Sequence, residues 1–218
     1  MILTLKTLIN EANTFSTLES KKTHSKLLGI SDGKAIGTYI EHEFKNYLKR
    51  KYEFNAGSSA KGIDFPDPHL NTDLKTTSIK RPQSSSPFKS IDQKIYGLGH
   101  NLLLFIYKKQ DINNKCYLKF KHCIFLESEK TGDYDLTKNL RRIIQNGADE
   151  KEIINLLKIK NIPGDEDYLE NLAKKILLNP PKQGYLTISN AFQWRLKYSN
   201  AIKLKDQING AQYYEELY

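Results

Sequence analysis

Six consecutive residues, Leu102-Leu103-Leu104-Phe105-Ile106-Tyr107, constrain this chain more than any other feature. A strand with no polar alternation must be covered on both faces, which only a sheet packed between other layers provides. Lys108 and Lys109 end the run, residues 111–115 turn the chain, and Cys116 to Leu126 is expected to return as a neighbouring strand. The covering layers are legible as helices. Ser31 and Asp32 offer N-caps, and Ile36, Ile40, Phe44 and Leu48 then recur every four residues, which predicts an amphipathic helix over 34–51 with Glu41 beside its apolar stripe. Residues 3–18 predict another helix. The fold class expected is therefore α/β, a mixed sheet of at least four strands flanked by helices.

Three further helical segments span 136–178, separated by Gly147 and by Pro163-Gly164, with Asp149 and Glu152 spaced as a capping pair. They read as a helical lobe within a single domain, since 218 residues suffice for one well-packed core but not for two of full size. After Pro180-Pro181 the chain is expected to cross a polar loop and a short strand and to enter a helix near Ser189. Cys116 and Cys123 fall in one strand, roughly 23 Å apart if extended, so they cannot bridge there, and no cysteine spacing suggests zinc. The first fifteen residues contain Lys6, Asn10 and Glu11, which argues against a signal peptide or membrane span and for a cytoplasmic protein. Thirty-four Lys and Arg against twenty-five Asp and Glu, a formal charge of +9, favour a polyanionic partner.

The chemistry concentrates after the capped helix. A small-residue loop, NAGSSAKG (55–62), leads into Gly62-Ile63-Asp64-Phe65, a turn with Pro66 and Pro68, and a strand over 72–78. In Asp73-Leu74-Lys75 the two polar side chains leave the same face while Leu74 points to the core. Asp64, on the preceding arm of this hairpin-like unit, can reach the same point. Two carboxylates suit a hard, oxygen-seeking Mg2+, and a lysine beside them can orient water or offset phosphoryl charge, which are the needs of phosphodiester hydrolysis.

With these residues in view, the stretch from Asp32 to Phe88 resembles the MutH-type branch of the PD-(D/E)XK nucleases, a group that includes a mismatch-repair nicking enzyme and type II restriction enzymes. The resemblance rests on Lys34-x-x-Gly37-x-x-x-Glu41 on a helix, the small-residue loop, Asp64-Phe65, and acid-Leu-Lys-Thr at Asp73 to Thr76. Gly184-Tyr185-Leu186 near the end is similar more loosely. The resemblance implies that Asp64 and Asp73 are metal ligands, that Lys75 is the catalytic lysine and that Glu41 is an auxiliary acid. The sequence departs from the pattern in having Asp at the second acid and a longer turn holding Asp67, a competitor for the role of first acid.

Two polar segments are placed to touch DNA. Lys80, Arg81, Gln83, Ser84, Ser85 and Lys89 follow the catalytic strand; Lys182, Gln183, Tyr185, Asn190 and Arg195 cluster near the end, and Trp194 reads as core. Arg and Gln suit base edges, Lys and Ser phosphates. Gly99-His100-Asn101 and Ile95-Tyr96-Gly97 lack the companions that a histidine-metal or GIY-YIG nuclease needs. The expectation is a Mg2+-dependent type II restriction endonuclease acting on double-stranded DNA, with a homodimer as the usual way to match a palindromic site. The alternatives are a nicking repair enzyme on the same scaffold and a DNA-binding protein without catalysis.

Overall fold

In the computed structural model the described residues are 1–57, 62–86, 89–190, 194–208 and 212–213, with the side chains of 194, 212 and 213 set aside. The chain divides into two compact units, Met1–Ser84 with His100–Leu126 and Ala201–Tyr218, and Ser85–Gly99 with Glu127–Asn200.

The first unit is built on the apolar run. Strand β1 (Thr72–Ser78) pairs in parallel with β3 (Asn101–Ile112), which pairs antiparallel with β4 (Lys115–Leu126), and β4 pairs antiparallel with the short β7 (Gln212–Tyr213). The sheet is mixed, and residues 102–107 are buried as their composition requires. Helix α1 (Leu5–Ser20) packs on β4 and α2 (Gly33–Lys49) on β1. Asp32 caps α2 by accepting from the Lys34 and Ala35 amides. A string of rings fills the layer between helices and sheet: Phe15 lies 5.0 Å from Phe44, Phe44 5.1 Å from Phe105, and Phe105 5.5 Å from Phe120. Each such pair adds about 0.5–1.5 kcal/mol beyond its buried area. Phe65 joins the string 6.3 Å from Phe44, which anchors the segment carrying Asp64 to the core. Cys116 and Cys123 are free and buried.

The second unit holds α3 (Asp92–Tyr96), α4 (Tyr134–Gln145), α5 (Glu150–Ile159) and α6 (Glu166–Leu178). The Asp149–Glu152 capping box is formed. Leu136, Leu140, Ile153, Leu157, Leu172 and Ile176 bury its interior. It also contains the hairpin of β5 (Thr187–Ile188) and β6 (Trp194–Lys197), in a small sheet whose order is β2-β6-β5. The chain crosses between the units four times: within β2 (Gln83–Ser86), after Gly99, after Leu126 and within α7 (Ser199–Lys203).

Three expectations need correction. The helix expected near Ser189 is the β5–β6 hairpin, and the helix begins only at Ser199; Arg195 and Lys197 are exposed while Leu196 and Tyr198 are buried, an alternation of period two. Residues 79–90, whose polar, proline-containing sequence reads as an exposed loop, contain β2. Residues 62–65 are not a strand: a single bridge joins Phe65 to Thr72, because Pro66 and Pro68 have no N–H to extend it.

Candidate active site

That single bridge determines the geometry. Phe65 donates its amide to the Thr72 carbonyl at 2.9 Å and Thr72 returns the bond at 3.0 Å, so Asp64 and Asp73 are set directly opposite each other, where paired side chains share a face. The intervening turn closes on the Asp67 carbonyl, which accepts from the Leu70 and Asn71 amides, with Asn71 in the left-handed region at φ 35°. The Asp64 and Asp73 carboxyls are close enough for each to shift the other's proton affinity. Asp64 Oδ2 also accepts from the Leu74 amide at 2.9 Å. Lys75 Nζ lies 2.7 Å from Asp73 Oδ2. The segment before Asp64 is held as tightly: the Gly57 amide donates to the Asp64 carbonyl, and a Cβ on Gly57 would stand 1.8 Å from the Ile63 carbonyl oxygen, so only glycine fits.

Helix α2 supplies the other side. Glu41 and Lys45, one turn apart, flank the buried Phe44, and the Lys45 ammonium pairs with Asp64 Oδ1. Glu41 is close enough to Asp64, Lys75 and Asp73 for their charges to act on it. Burial, reinforced by Asp64, pushes the Glu41 carboxyl up to about 7. Burial likewise pushes Asp73 up to about 7, with Lys75 opposing and the Asp64 hydrogen bond adding to the rise. For Asp64 burial also acts upward, but the bond from Asp73, the Lys45 ammonium and the Leu74 amide outweigh it and hold the carboxyl below its usual range. The two carboxyls therefore differ in proton affinity, Asp73 the higher and Asp64 the lower. Lys75 loses stability as a cation through burial but gains more from Asp73, and its ammonium is the more strongly retained.

Glu41, Asp64, Asp73 and Lys75 are thus brought together. Asp67 is not: its carboxylate accepts from the Asn55 side chain at 2.5 Å and backbone at 3.0 Å, on the surface. Lys45 is absent from the sequence reading, and His100 enters it only as part of a histidine-metal motif that is set aside. Lys45 is visible only once Glu41 is placed, four residues before it. His100, whose Nε2 lies 3.9 Å from Asp73 Oδ2, arrives through the parallel pairing of Thr72 with Asn101, a register that no local pattern encodes.

Among the residues expected at DNA, Lys80 and Arg81 are exposed and Gln83 and Ser84 half-buried in the first unit. Thr77, two residues beyond Lys75, closes this turn: its Oγ1 lies 3.0 Å from the Arg81 carbonyl and accepts from the Gln83 amide at 3.3 Å. In the second unit Ser85, Lys89, Lys182 and Arg195 are exposed, Lys182 pairing with Glu129. Three others there are engaged internally. Tyr185 is only 8% exposed, the Gln183 amide donates to the Tyr134 and Gly184 carbonyls, and Asn190 accepts from Lys94 and donates to the Lys160 and Asn161 carbonyls. Gln193 and the Trp194 side chain lie outside the described residues.

Among the described residues no group of three or more His, Cys, Asp or Glu side chains is gathered into a metal cage. The donor chemistry nevertheless fits a hard divalent ion, since Mg2+ is commonly held by one or two carboxylates with water and substrate phosphate completing the shell. Asp64 and Asp73 offer such a pair of donors, two facing oxygens that cannot comfortably both ionise without added positive charge. No described helix is long and apolar enough to cross a membrane.

Residues 2–213 match the family model described as type II restriction enzyme NspV. The chain is 48% identical over 211 residues, 96% of its length and 95% of the relative's, to the type II restriction enzyme NspV of Nostoc sp. (strain ATCC 29411 / PCC 7524). No solved structure matches it.

Proposed function

Because the chain belongs to the NspV family of type II restriction enzymes, we propose that its sequence-specific cleavage of double-stranded DNA is carried out at the Asp64–Asp73–Lys75 cluster with Mg2+ as cofactor, on a PD-(D/E)XK scaffold of the MutH-like branch. The observation that carries this reading is the bridge between Phe65 and Thr72, which sets two acids face to face with a lysine two residues further along the same strand. Asp64 rather than Asp67 is the first acid, since Asp67 is committed to Asn55. Asp64 and Asp73 would hold the ion, which supplies charge neutralisation at the scissile phosphate and activation of water. Lys75, kept protonated beside Asp73, orients the attacking water or balances charge building on the phosphate. Glu41, with its raised affinity for a proton, stands ready as the auxiliary acid.

The first unit, on this reading, is the nuclease core, and α4, α5 and α6 of the second unit form the helical lobe. The turn carrying Lys80, Arg81 and Gln83 contacts DNA, because Thr77 ties it to the strand that bears Lys75. Ser84, Ser85, Lys89, Lys182 and Arg195 add phosphate or base contacts, while Tyr185, Gln183 and Asn190 act mainly by shaping the second unit. A homodimer places two such centres on a palindromic site, and the protein works in the cytoplasm.

Purified protein is incubated with plasmid and phage DNA, with Mg2+ or with EDTA, and the fragment ends are sequenced. Mg2+-dependent ends at one short sequence are expected; random ends, or cutting that survives EDTA, overturn the reading. Arg81→Ala and Gln83→Ala are each expected to cost about 1–3 kcal/mol of site discrimination in the same assay.

A further inference from the structure

Both carboxylate oxygens of Asp64 already carry a protein partner in the state described above. Oδ2 is taken by the Leu74 amide at 2.9 Å and Oδ1 by the Lys45 ammonium. The first partner cannot move: Leu74 is 1% exposed, its side chain sits in the aromatic core, and its backbone belongs to β1 between Asp73 and Lys75. The second partner can, because a lysine head rides on four flexible methylenes anchored to α2. A divalent ion bound to Oδ1 would set a second, more highly charged cation against the ammonium on the same oxygen, and the two repel.

We propose that Lys45 is a built-in placeholder cation, seated on Asp64 where the divalent ion will go and displaced from it when that ion binds. Its role follows from the charges gathered here: three carboxylates, Glu41, Asp64 and Asp73, face two lysines, Lys45 and Lys75. Without Lys45 the metal-free cluster would hold three acids against one ammonium in a largely buried place. With both Lys45 and the divalent ion seated, two cations would crowd one oxygen. Lysine meets both conditions because its compact, strongly hydrated head makes one point contact and exchanges readily for solvent, whereas arginine would grip the carboxylate through two parallel bonds. Lys45 is a positioning residue, acting through Asp64 rather than on the DNA. The inference rests on Asp64 and Asp73 being the ligand pair.

Mn2+, which accepts the same oxygen donors, tests it directly by electron paramagnetic resonance on the full chain without DNA. Lys45→Met is expected to bind Mn2+ about three- to tenfold more tightly than the unmodified protein, since the competing ion pair is gone. Lys45→Arg, which keeps the charge and hence the fold, is expected to bind more weakly. In thermal melts Lys45→Met should lose stability in EDTA and recover it with Mn2+, so that the ion raises its Tm more than it raises that of the unmodified chain. Equal or weaker Mn2+ binding by Lys45→Met, or a Tm loss that is the same with and without the ion, overturns the proposal and leaves Lys45 a structural ion pair. Asp73→Asn separates the two levels. If it loses Mn2+ while Lys45→Met gains nothing, the placeholder alone is wrong; if it binds Mn2+ as the unmodified chain does, the ligand pair is wrong and the placeholder falls with it.

Discussion

Two aspartates, one in each unit, are buried to nearly the same degree and arranged to opposite ends: Asp73 is 5% exposed and Asp133 6%. Asp133 has each carboxylate oxygen satisfied by a backbone amide, Leu136 at 2.9 Å and Ile188 at 2.8 Å, so it caps α4 and fastens β5 to it. Asp73 faces another carboxyl and a lysine, with an imidazole nearby, and its proton affinity is pushed up to about 7 by burial. Burial by itself therefore says nothing about function. A buried acid whose partners are all amides is finished as a structural element; one whose partners are charged side chains still has chemistry to do.

The largest expected effect comes from replacing each of the two carboxyls with a neutral side chain. Asp73→Asn should lower cleavage by about a thousandfold, the equivalent of several kcal/mol of lost electrostatic stabilisation, with Tm unchanged or raised because a repulsive contact is removed. Asp133→Ala should do the reverse, costing about 2–4 kcal/mol in denaturant titrations, from a lost N-cap and an unpaired buried amide. Cleavage at a temperature where that variant stays folded should be close to normal. An Asp73→Asn chain that cuts, or an Asp133→Ala chain that melts normally, breaks the contrast.

Gly57→Ala sharpens it by moving the site without touching a charge. The added methyl meets the Ile63 backbone at 1.8 Å, so the segment holding Asp64 must shift. A displacement of that size is worth about a hundredfold in rate. Cleavage that stays within a factor of about two would mean that Asp64 tolerates displacement.

A smaller effect is written in pH. The folded Asp73 carboxyl titrates near 7 rather than in the ordinary carboxylate range. In the metal-free protein its contribution to stability is complete below about pH 4 and is lost as the pH rises through about 7. His122, held near 4 by burial and by Lys205 and Lys121, drives stability the opposite way over much of this range but is common to both chains. The stability of Asp73→Asn minus that of the unmodified chain, measured in EDTA, should therefore climb between about pH 4 and 7 and then level. A flat difference would mean that Asp73 ionises normally.

The smallest effect concerns Thr76, whose buried hydroxyl finds no hydrogen-bond partner among the described residues although it adjoins Lys75. Thr76→Val should raise stability by about 1 kcal/mol and leave cleavage intact, because an uncharged unsatisfied group stores strain but moves no proton. Loss of activity in a stable Thr76→Val chain would show that neutral polar groups here matter as much as charged ones.

Local physics made much of this protein legible from the residues alone. Six apolar residues in a row demanded a strand covered on both faces; a four-residue apolar period after Asp32 demanded α2; Asp149 and Glu152 at capping distance demanded a helix start; alternation in Asp73-Leu74-Lys75 put acid and base on one face. Each of these depends on neighbours a few positions away, where covalent geometry already fixes direction. What only the tertiary structure decided depends on register between distant segments. The Phe65–Thr72 bridge set Asp64, and not Asp67, opposite Asp73, the parallel pairing of Thr72 with Asn101 brought His100 to Asp73, and the docking of α2 on β1 carried Lys45 onto Asp64. A one-residue slip in a strand turns every side chain to the opposite face, so these meetings are set by the packing that forbids the slip, and no local pattern in the chain reports which register that packing selects.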